Sequence, residues 1–200
     1  MPTTVSDAAL LDAAKRVFAA YGYAGATLER LAAEAGVNRA TLHRRRVDKD
    51  ALLAQLAAQG TENYRREMWP ALTGTGSGAE RLRMALEALC GSTEANLELL
   101  VALNGRTEGI FHADEPEPLT RDVFTEPLAR ILADGAADGS LREVDVAETA
   151  TVLFNMVGWT YMHLRTGHGW SAERARAGTL DPLLVGLLVD GETGGSAVGG

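Results

Sequence analysis

The stretch Thr27–Arg46, TLERLAAEAGVNRATLHRRR, contains two short helical patterns divided by one glycine. In the first, Leu28, Leu31, Ala32 and Ala35 recur at helical spacing and form one apolar face. Thr27 stands where a hydroxyl can accept from the unpaired amides of a first helical turn. Gly36 occupies the point where the chain must stop and turn, a position that favours a residue able to take positive φ. Val37 then returns to the core, and Asn38 can cap a second helix. That helix carries Arg39, Thr41, His43, Arg44 and Arg45, with Ala40 and Leu42 left for packing. Two small helices joined by a glycine turn, the second polar and basic, describe a helix-turn-helix.

The chemistry of the second helix suits a nucleic-acid duplex. A helix fits the major groove, arginine donates to guanine edges, and hydroxyl, imidazole and guanidinium groups reach phosphates. An ordinary helical hairpin with a solvated basic face would carry the same pattern, and the flanks separate the two. Gly22-Tyr23, Ala26-Thr27-Leu28, Leu31-Ala32, Ala35-Gly36-Val37, Thr41-Leu42-His43 and Lys49-Asp50-Ala51-Leu52 follow one another at a specific spacing. In these residues the first quarter of the chain resembles the DNA-binding domain of TetR-type transcriptional regulators. The resemblance implies groove contacts from Arg39, Thr41 and Arg44, and phosphate contacts from Thr27, His43 and Lys49. For Lys49 a separate argument exists: a cation at a helix start opposes the dipole, and an external anion offsets that cost. Two residues depart from the family pattern, which usually has an aromatic where His43 stands and Phe where Arg46 stands. His43 can still donate to a phosphate. Arg46 replaces a hydrophobic plug, so either Val47 takes over the packing or the junction is looser than usual.

The whole chain carries a net charge of −8, which by itself speaks against a nucleic-acid partner. Its distribution speaks for one. Residues 1–50 hold eight Lys and Arg against six Asp and Glu, which leaves −10 for the remainder. A basic reading head on an acidic body is expected when one module meets DNA and the other does not. With 200 residues, 46% of them hydrophobic, the chain is long and apolar enough for a folded protein with a sizeable core. The single cysteine, Cys90, excludes an intramolecular disulfide framework and suits a reducing cytoplasm. Neither a secretory leader nor an apolar run of membrane-spanning length is evident, so a cytoplasmic location without membrane contact is expected.

Ser6 and Asp7 open a first helix with an apolar stripe of Leu10, Ala14, Val17, Phe18 and Tyr21, ended by Gly22. Lys15 and Arg16 lie off that stripe as solvated charges. Asp48 caps a fourth helix through Leu52, Leu53, Leu56 and Tyr64, ending near Trp69-Pro70. Thr73–Gly78 is a flexible loop by composition and lacks the lysine of a phosphate cradle. Ser77 and Glu80 form a capping box for a helix carrying Leu82, Leu86 and Leu89, and a further run spans Glu94–Leu103. Residues 108–118 form a loop. Leu119–Ala137 is helical with Pro127 as kink or boundary, and Gly135, Gly139 and Ser140 mark its end. Asp145 and Glu148 box the start of a strong helix through Val146, Val157 and Leu164, which the Gly167-His168-Gly169 break terminates. The last helical region starts at Ser171, with a restart available at Asp181-Pro182, and runs to Val189. A glycine-rich tail, 191–200, is expected to be disordered. No segment alternates as strands do. The expected fold is all-α, about nine helices: a three-helix reading domain over residues 1–50, then a ligand-binding and dimerisation domain over 51–190.

The last two helices are apolar on more than one side, more than a small bundle buries. In the resembled family the final two helices pair with their copies in a second subunit. A homodimer would set two reading helices on a palindromic operator of double-stranded DNA. The resemblance also implies a small-molecule effector pocket in the second module. Asn104, Phe111, Phe124, Asn155, Trp159 and His163 are its candidate lining, drawn from aromatic and polar residues that would otherwise be core or surface. A bound ligand would then displace the reading helices.

Two rival readings stand beside this one. The first is a sensing or oligomerisation module whose reading head has degenerated. The other is a small helical enzyme, for which the sequence offers little. His163 and His168 do not have the same-face spacing of a helical metal site, Cys90 has no His nearby in sequence, and no acid/base carboxylate pair stands out. No cofactor, metal or catalytic residue is expected.

Overall fold

Helix α1 (Asp7–Gly25) starts where Ser6 accepts the amide of Ala9, at 3.2 Å. This computed structural model describes residues 6–103 and 121–189. Within them lie nine α-helices, one π-helical turn and no strand beyond an isolated bridge between Leu141 and Leu188. The remaining helices are α2 (Leu28–Glu34), α3 (Arg39–Arg44), α4 (Lys49–Thr73), α5 (Gly78–Ala95), α6 (Leu97–Ala102), α7 (Glu126–Asp138), α8 (Val146–Thr166) and α9 (Ala172–Leu187). The expected loop over 108–118 and the tail 191–200 lie outside the described residues.

Contacts divide the described chain into two compact units, 6–63 with 96–103 and 64–95 with 121–189. In the first, Leu10, Ala14, Val17 and Phe18 of α1 bury against Leu31 and Ala32 of α2, Leu42 of α3, Leu52, Leu53 and Leu56 of α4, and Leu99 and Leu103 beside α6. Burying side chains of this size contributes about 1.5–3 kcal/mol each. The short α2 and α3, too short to be stable alone, form because this core holds them. Arg16 reaches across from α1 to Glu34 at 2.5 Å, so it is an ion-pair partner as well as a surface charge. Tyr21, expected in the apolar stripe, is 53% exposed instead. Gly22 takes φ 66° inside α1 just after it, and the Tyr21 ring lies under the Arg30 guanidinium.

The second unit is built on α5, α7, α8 and α9. The capping box at the start of α5 is present, with Glu80 accepting from the Ser77 amide at 2.8 Å. A second pair of caps arrives from the end of α7: Asp138 accepts the Gly78 amide at 2.7 Å and Ser140 accepts that of Ala79 at 3.0 Å. Bonds from Ser140 and from the Gly78 amide hold the Asp138 carboxyl below its usual range. Glu94 joins α5 to α8. It accepts the Tyr161 hydroxyl at 2.9 Å and a two-pronged contact from Arg165 at 2.8 and 2.7 Å.

These bonds from Arg165, and then Tyr161, keep the Glu94 carboxyl below its ordinary 4.5. A depressed folded-state value stabilises the protein above the unfolded pKa, and that contribution is lost as pH falls below it. Glu94→Gln should therefore lower the urea midpoint at neutral pH and flatten the acid limb below about pH 4.5. The expected loss is about 1–2 kcal/mol, discounted because a third of the carboxylate meets solvent.

Three boundaries differ from the sequence reading. Helix α4 does not stop at Trp69-Pro70 but continues to Thr73. Pro70 stands near its end, where the missing amide costs a single bond. Pro182 likewise lies within an unbroken α9, and no restart occurs at Asp181. Gly135 does not end α7; it sits inside it, against Gly78. Pro127 does mark a boundary, since α7 begins at Glu126 and a π-helical turn (Arg121–Thr125) precedes it.

Candidate nucleic-acid interface

The reading element is built from two caps and two stops. Thr27 caps α2, accepting the Arg30 amide at 3.3 Å. Asn38 caps α3, accepting both the Thr41 amide at 2.8 Å and the Thr41 hydroxyl at 2.9 Å. Helix α2 ends as the Gly36 amide donates to Ala33 and the Val37 amide to Ala32, with Gly36 at φ 67°. Helix α3 ends in the same way: Arg46 donates to His43 and Val47 to Leu42. Both stops are Schellman motifs, which need a left-handed residue after the helix. In the second that residue is Arg46, at φ 51°.

This resolves the Arg46 question raised by the sequence. Val47 takes over the packing, partly buried against the first unit's core, while Arg46 is exposed. Leu42 is fully buried and anchors α3. Ala40, expected to pack, is exposed instead, so one residue of the helix faces inward and Arg39, Ala40, His43 and Arg44 face out. Such a helix is free to enter a groove.

The six sequence-derived contact residues differ in how freely their polar groups stand. Arg44 is exposed, with only a long 3.4 Å bond to the Thr41 hydroxyl among the described residues. Arg39 is held at 2.8 Å by Glu29 of α2. The Glu29 carboxyl is lowered first by its own backbone amide, then by the Arg39 charge and the Thr27 hydroxyl. Thr41 is half-buried, its hydroxyl occupied by the Asn38 cap. His43 and Thr27 are exposed. Lys49 lies 4.0 Å over the Tyr23 ring and donates to the Tyr23 carbonyl at 3.1 Å, while the Tyr23 hydroxyl bonds Asp50.

Three further cations stand close by in sequence and were not among those six. Arg45 pairs with Asp7, tying the end of α3 to the start of α1. Arg30 donates to the Gly25 carbonyl at 2.5 Å. Arg46 has no side-chain partner among the described residues. A run of three arginines was visible in the sequence, but which of them is braced and which is free is a matter of tertiary contacts.

The proposed ligand-binding residues fall into separate groups. Asn104 and Phe111 lie outside the described residues. Phe124, in the π-helical turn, is buried between Tyr64 (ring centroids 4.7 Å apart) and Phe154 (4.9 Å). Asn155, Trp159 and His163 lie on α8, where the Asn155 amide bonds the Thr151 carbonyl at 2.8 Å. Trp159 and His163 are exposed and are not brought together with Phe124 and Tyr64. The turn after α8 brings His168 back against His163, rings edge-on at 5.0 Å, a proximity their spacing did not indicate. The reason is Gly169 at φ 64° with the His168 amide bonded to the His163 carbonyl. Among the described residues no group of three or more His, Cys, Asp or Glu could hold a metal ion. No described helix is long and apolar enough to cross a membrane. Cys90 is buried, and burial pushes its thiol up to about 12, which makes it a poor nucleophile.

Residues 10–56 match the family model for bacterial regulatory proteins of the tetR family. No curated protein matches the sequence. Among solved structures, the TetR family transcriptional regulator PfmR from Thermus thermophilus is similar at 27% identity and TM-score 0.71, covering 88% of this chain and 97% of that one. The ketosteroid transcriptional regulator KstR2 of Mycobacterium tuberculosis is similar at 18% identity and TM-score 0.72, over 94% of this chain and 98% of the other. AibR, solved in complex with isovaleryl coenzyme A and operator DNA, is similar at 20% identity and TM-score 0.66, over 90% and 97%. The helix-turn-helix with its two Schellman stops, the all-helical second unit and these likenesses agree: residues 10–56 are a reading domain of the tetR-family type, in a chain whose fold is that of TetR-family transcriptional regulators.

Proposed function

We propose that the protein is a ligand-responsive transcriptional repressor that binds a palindromic operator as a homodimer and does not catalyse a reaction. The observation that carries the reading is α3 itself, anchored by one buried leucine and turning Arg39, His43 and Arg44 to solvent. A bacterial regulator of this kind works in the cytoplasm, where the genome lies. The direct test is capture of genomic fragments on the protein, followed by anisotropy titration of the recovered duplex against salt. A recovered inverted repeat and a steep salt dependence are expected. Binding to no duplex at any salt would leave the rival reading, a sensor without a DNA role.

The dimer is supported by an unpartnered stripe on α8. Val152, Met156 and Trp159 follow at helical spacing, yet are 51%, 45% and 49% exposed, and Val185 and Val189 of the α9 end add to the exposed apolar surface. An apolar stripe of this kind calls for a covering partner, and a second copy offers the same stripe. Trp159 and His163 are better placed there than in a ligand pocket.

The effector reading is supported by Tyr64. Its phenol is fully buried beside Phe124, its hydroxyl has no hydrogen-bond partner among the described residues, and burial raises its pKa. An unmet buried donor is costly, and a ligand acceptor is one way to satisfy it. Helix α4 supplies residues to both units, so a ligand that shifts Tyr64 acts on the helix that begins at Lys49. Tyr64→Phe should leave unliganded stability unchanged or raise it by about 1 kcal/mol, since it removes an unpaired donor. It should also blunt effector-induced release from the operator. A clear fall in unliganded stability would place a structural partner on the hydroxyl and remove this support.

A further inference from the structure

The left-handed residue that ends α3 is normally glycine, because only glycine takes that conformation without a clash between Cβ and the backbone. The first stop of the reader follows this rule with Gly36. The second does not, and places the long, charged Arg46 at φ 51°. Backbone strain of this kind persists where the surrounding structure imposes it, and it gathers at functional sites. Arg46 contributes nothing to the core, which Val47 fills. Nor does it serve as a brace: Arg45 is held by Asp7 and Arg39 by Glu29, but no described side chain holds Arg46. What remains is an exposed cation, fixed by a rigid cap at the end of the reading helix.

We infer that Arg46 is a DNA-backbone contact, a phosphate anchor at the C-terminal end of the reading helix. In helix-turn-helix docking the reading helix itself meets base edges, and Arg46 lies beyond its last residue, Arg44. Helix α3 spans six residues, so Arg46 follows more than a full turn after Arg39, toward the groove wall where phosphates lie. The left-handed cap keeps the arginine out of the core and fixes the point from which its side chain leaves the backbone. This inference rests on the proposed DNA-binding function, and it assigns to Arg46 a role that the usual hydrophobic residue at this position could not fill.

The test uses full-length protein and a long mixed-sequence duplex as well as the captured operator. Arg46→Gly should raise the melting temperature by about 2–4 °C, since the strain is relieved. It should also weaken both duplexes about 3–10-fold at low salt, and make the log–log salt slope shallower by about 0.9 per reading head. Arg46→Asn, which tolerates the left-handed region, should behave alike. Arg46→Gln keeps the strain without the charge and should lose affinity without gaining stability, whereas Arg46→Lys should keep most of the slope. A gain in stability with a loss of affinity is a combination that a purely structural role cannot produce. Arg46→Gly binding as tightly as wild type, with an unchanged slope, would overturn the assignment alone. Absence of salt-dependent binding by the wild type would overturn the functional reading together with it.

Discussion

Gly78→Ala is expected to destabilise the second unit by about 3–5 kcal/mol, enough to leave much of it unfolded at 37 °C. A β-carbon at Gly78 would sit 2.1 Å from the Cα of Gly135 and 2.5 Å from its nitrogen, atoms of a helical backbone that no rotamer change can move. Leu141 packs against the same glycine: a β-carbon at Gly135 would meet its side chain at 2.4 Å. Moving α5 away from α7 would also break the bonds from Asp138 and Ser140 to the first amides of α5. Each amide left buried without an acceptor adds about 1–3 kcal/mol. Urea denaturation followed by circular dichroism measures the effect. Gly60→Ala is the control: its β-carbon would meet only Asn96 at an ordinary 3.8 Å, in mid-helix. It should raise stability by about 0.5–1 kcal/mol. An unchanged midpoint for Gly78→Ala would mean that the two helices do not cross this closely.

Arg44→Ala carries the largest expected effect on DNA binding. Its guanidinium has only a weak internal bond, so nearly all of its hydrogen-bonding capacity is available to a base edge. Loss of a two-pronged contact costs about 1–3 kcal/mol per head, about 5- to 150-fold, and should relax discrimination at the bases it reads. Arg39→Ala should cost less, because Arg39 exchanges the Glu29 carboxylate for DNA and only the difference appears as affinity. Lys49→Ala should weaken all sequences evenly and lower stability slightly, since its ammonium also braces Tyr23. Competition titrations on an operator and its single-base variants separate these outcomes. Equal loss of discrimination from Arg44→Ala and Lys49→Ala would count against the division of roles.

The reader was legible in the sequence because its signals are local. Thr27 and Asn38 cap the helices they precede, Gly36 turns the chain, and Leu31 and Leu42 fall on the buried face, all within a twenty-residue stretch. The capping box at Ser77 and the cap at Asp145 were readable for the same reason. Proline misled at positions 70 and 182, because local propensity says what a helix loses there but not what packing returns.

Sequence alone determined the helical class, the position of the reading helix and the resemblance of the reading domain to the TetR type, since each rests on periodicity and caps that act over a few residues. The tertiary structure decided what depends on residues far apart in the chain. It set Gly135 against Gly78, passed the packing role from Arg46 to Val47, and buried the Tyr64 hydroxyl without a partner among the described residues. It also tied up Arg39 and Arg45 while leaving Arg44 and Arg46 open. Charge can be counted along a chain, but whether an arginine is available to a phosphate depends on whether a carboxylate from another helix has already reached it.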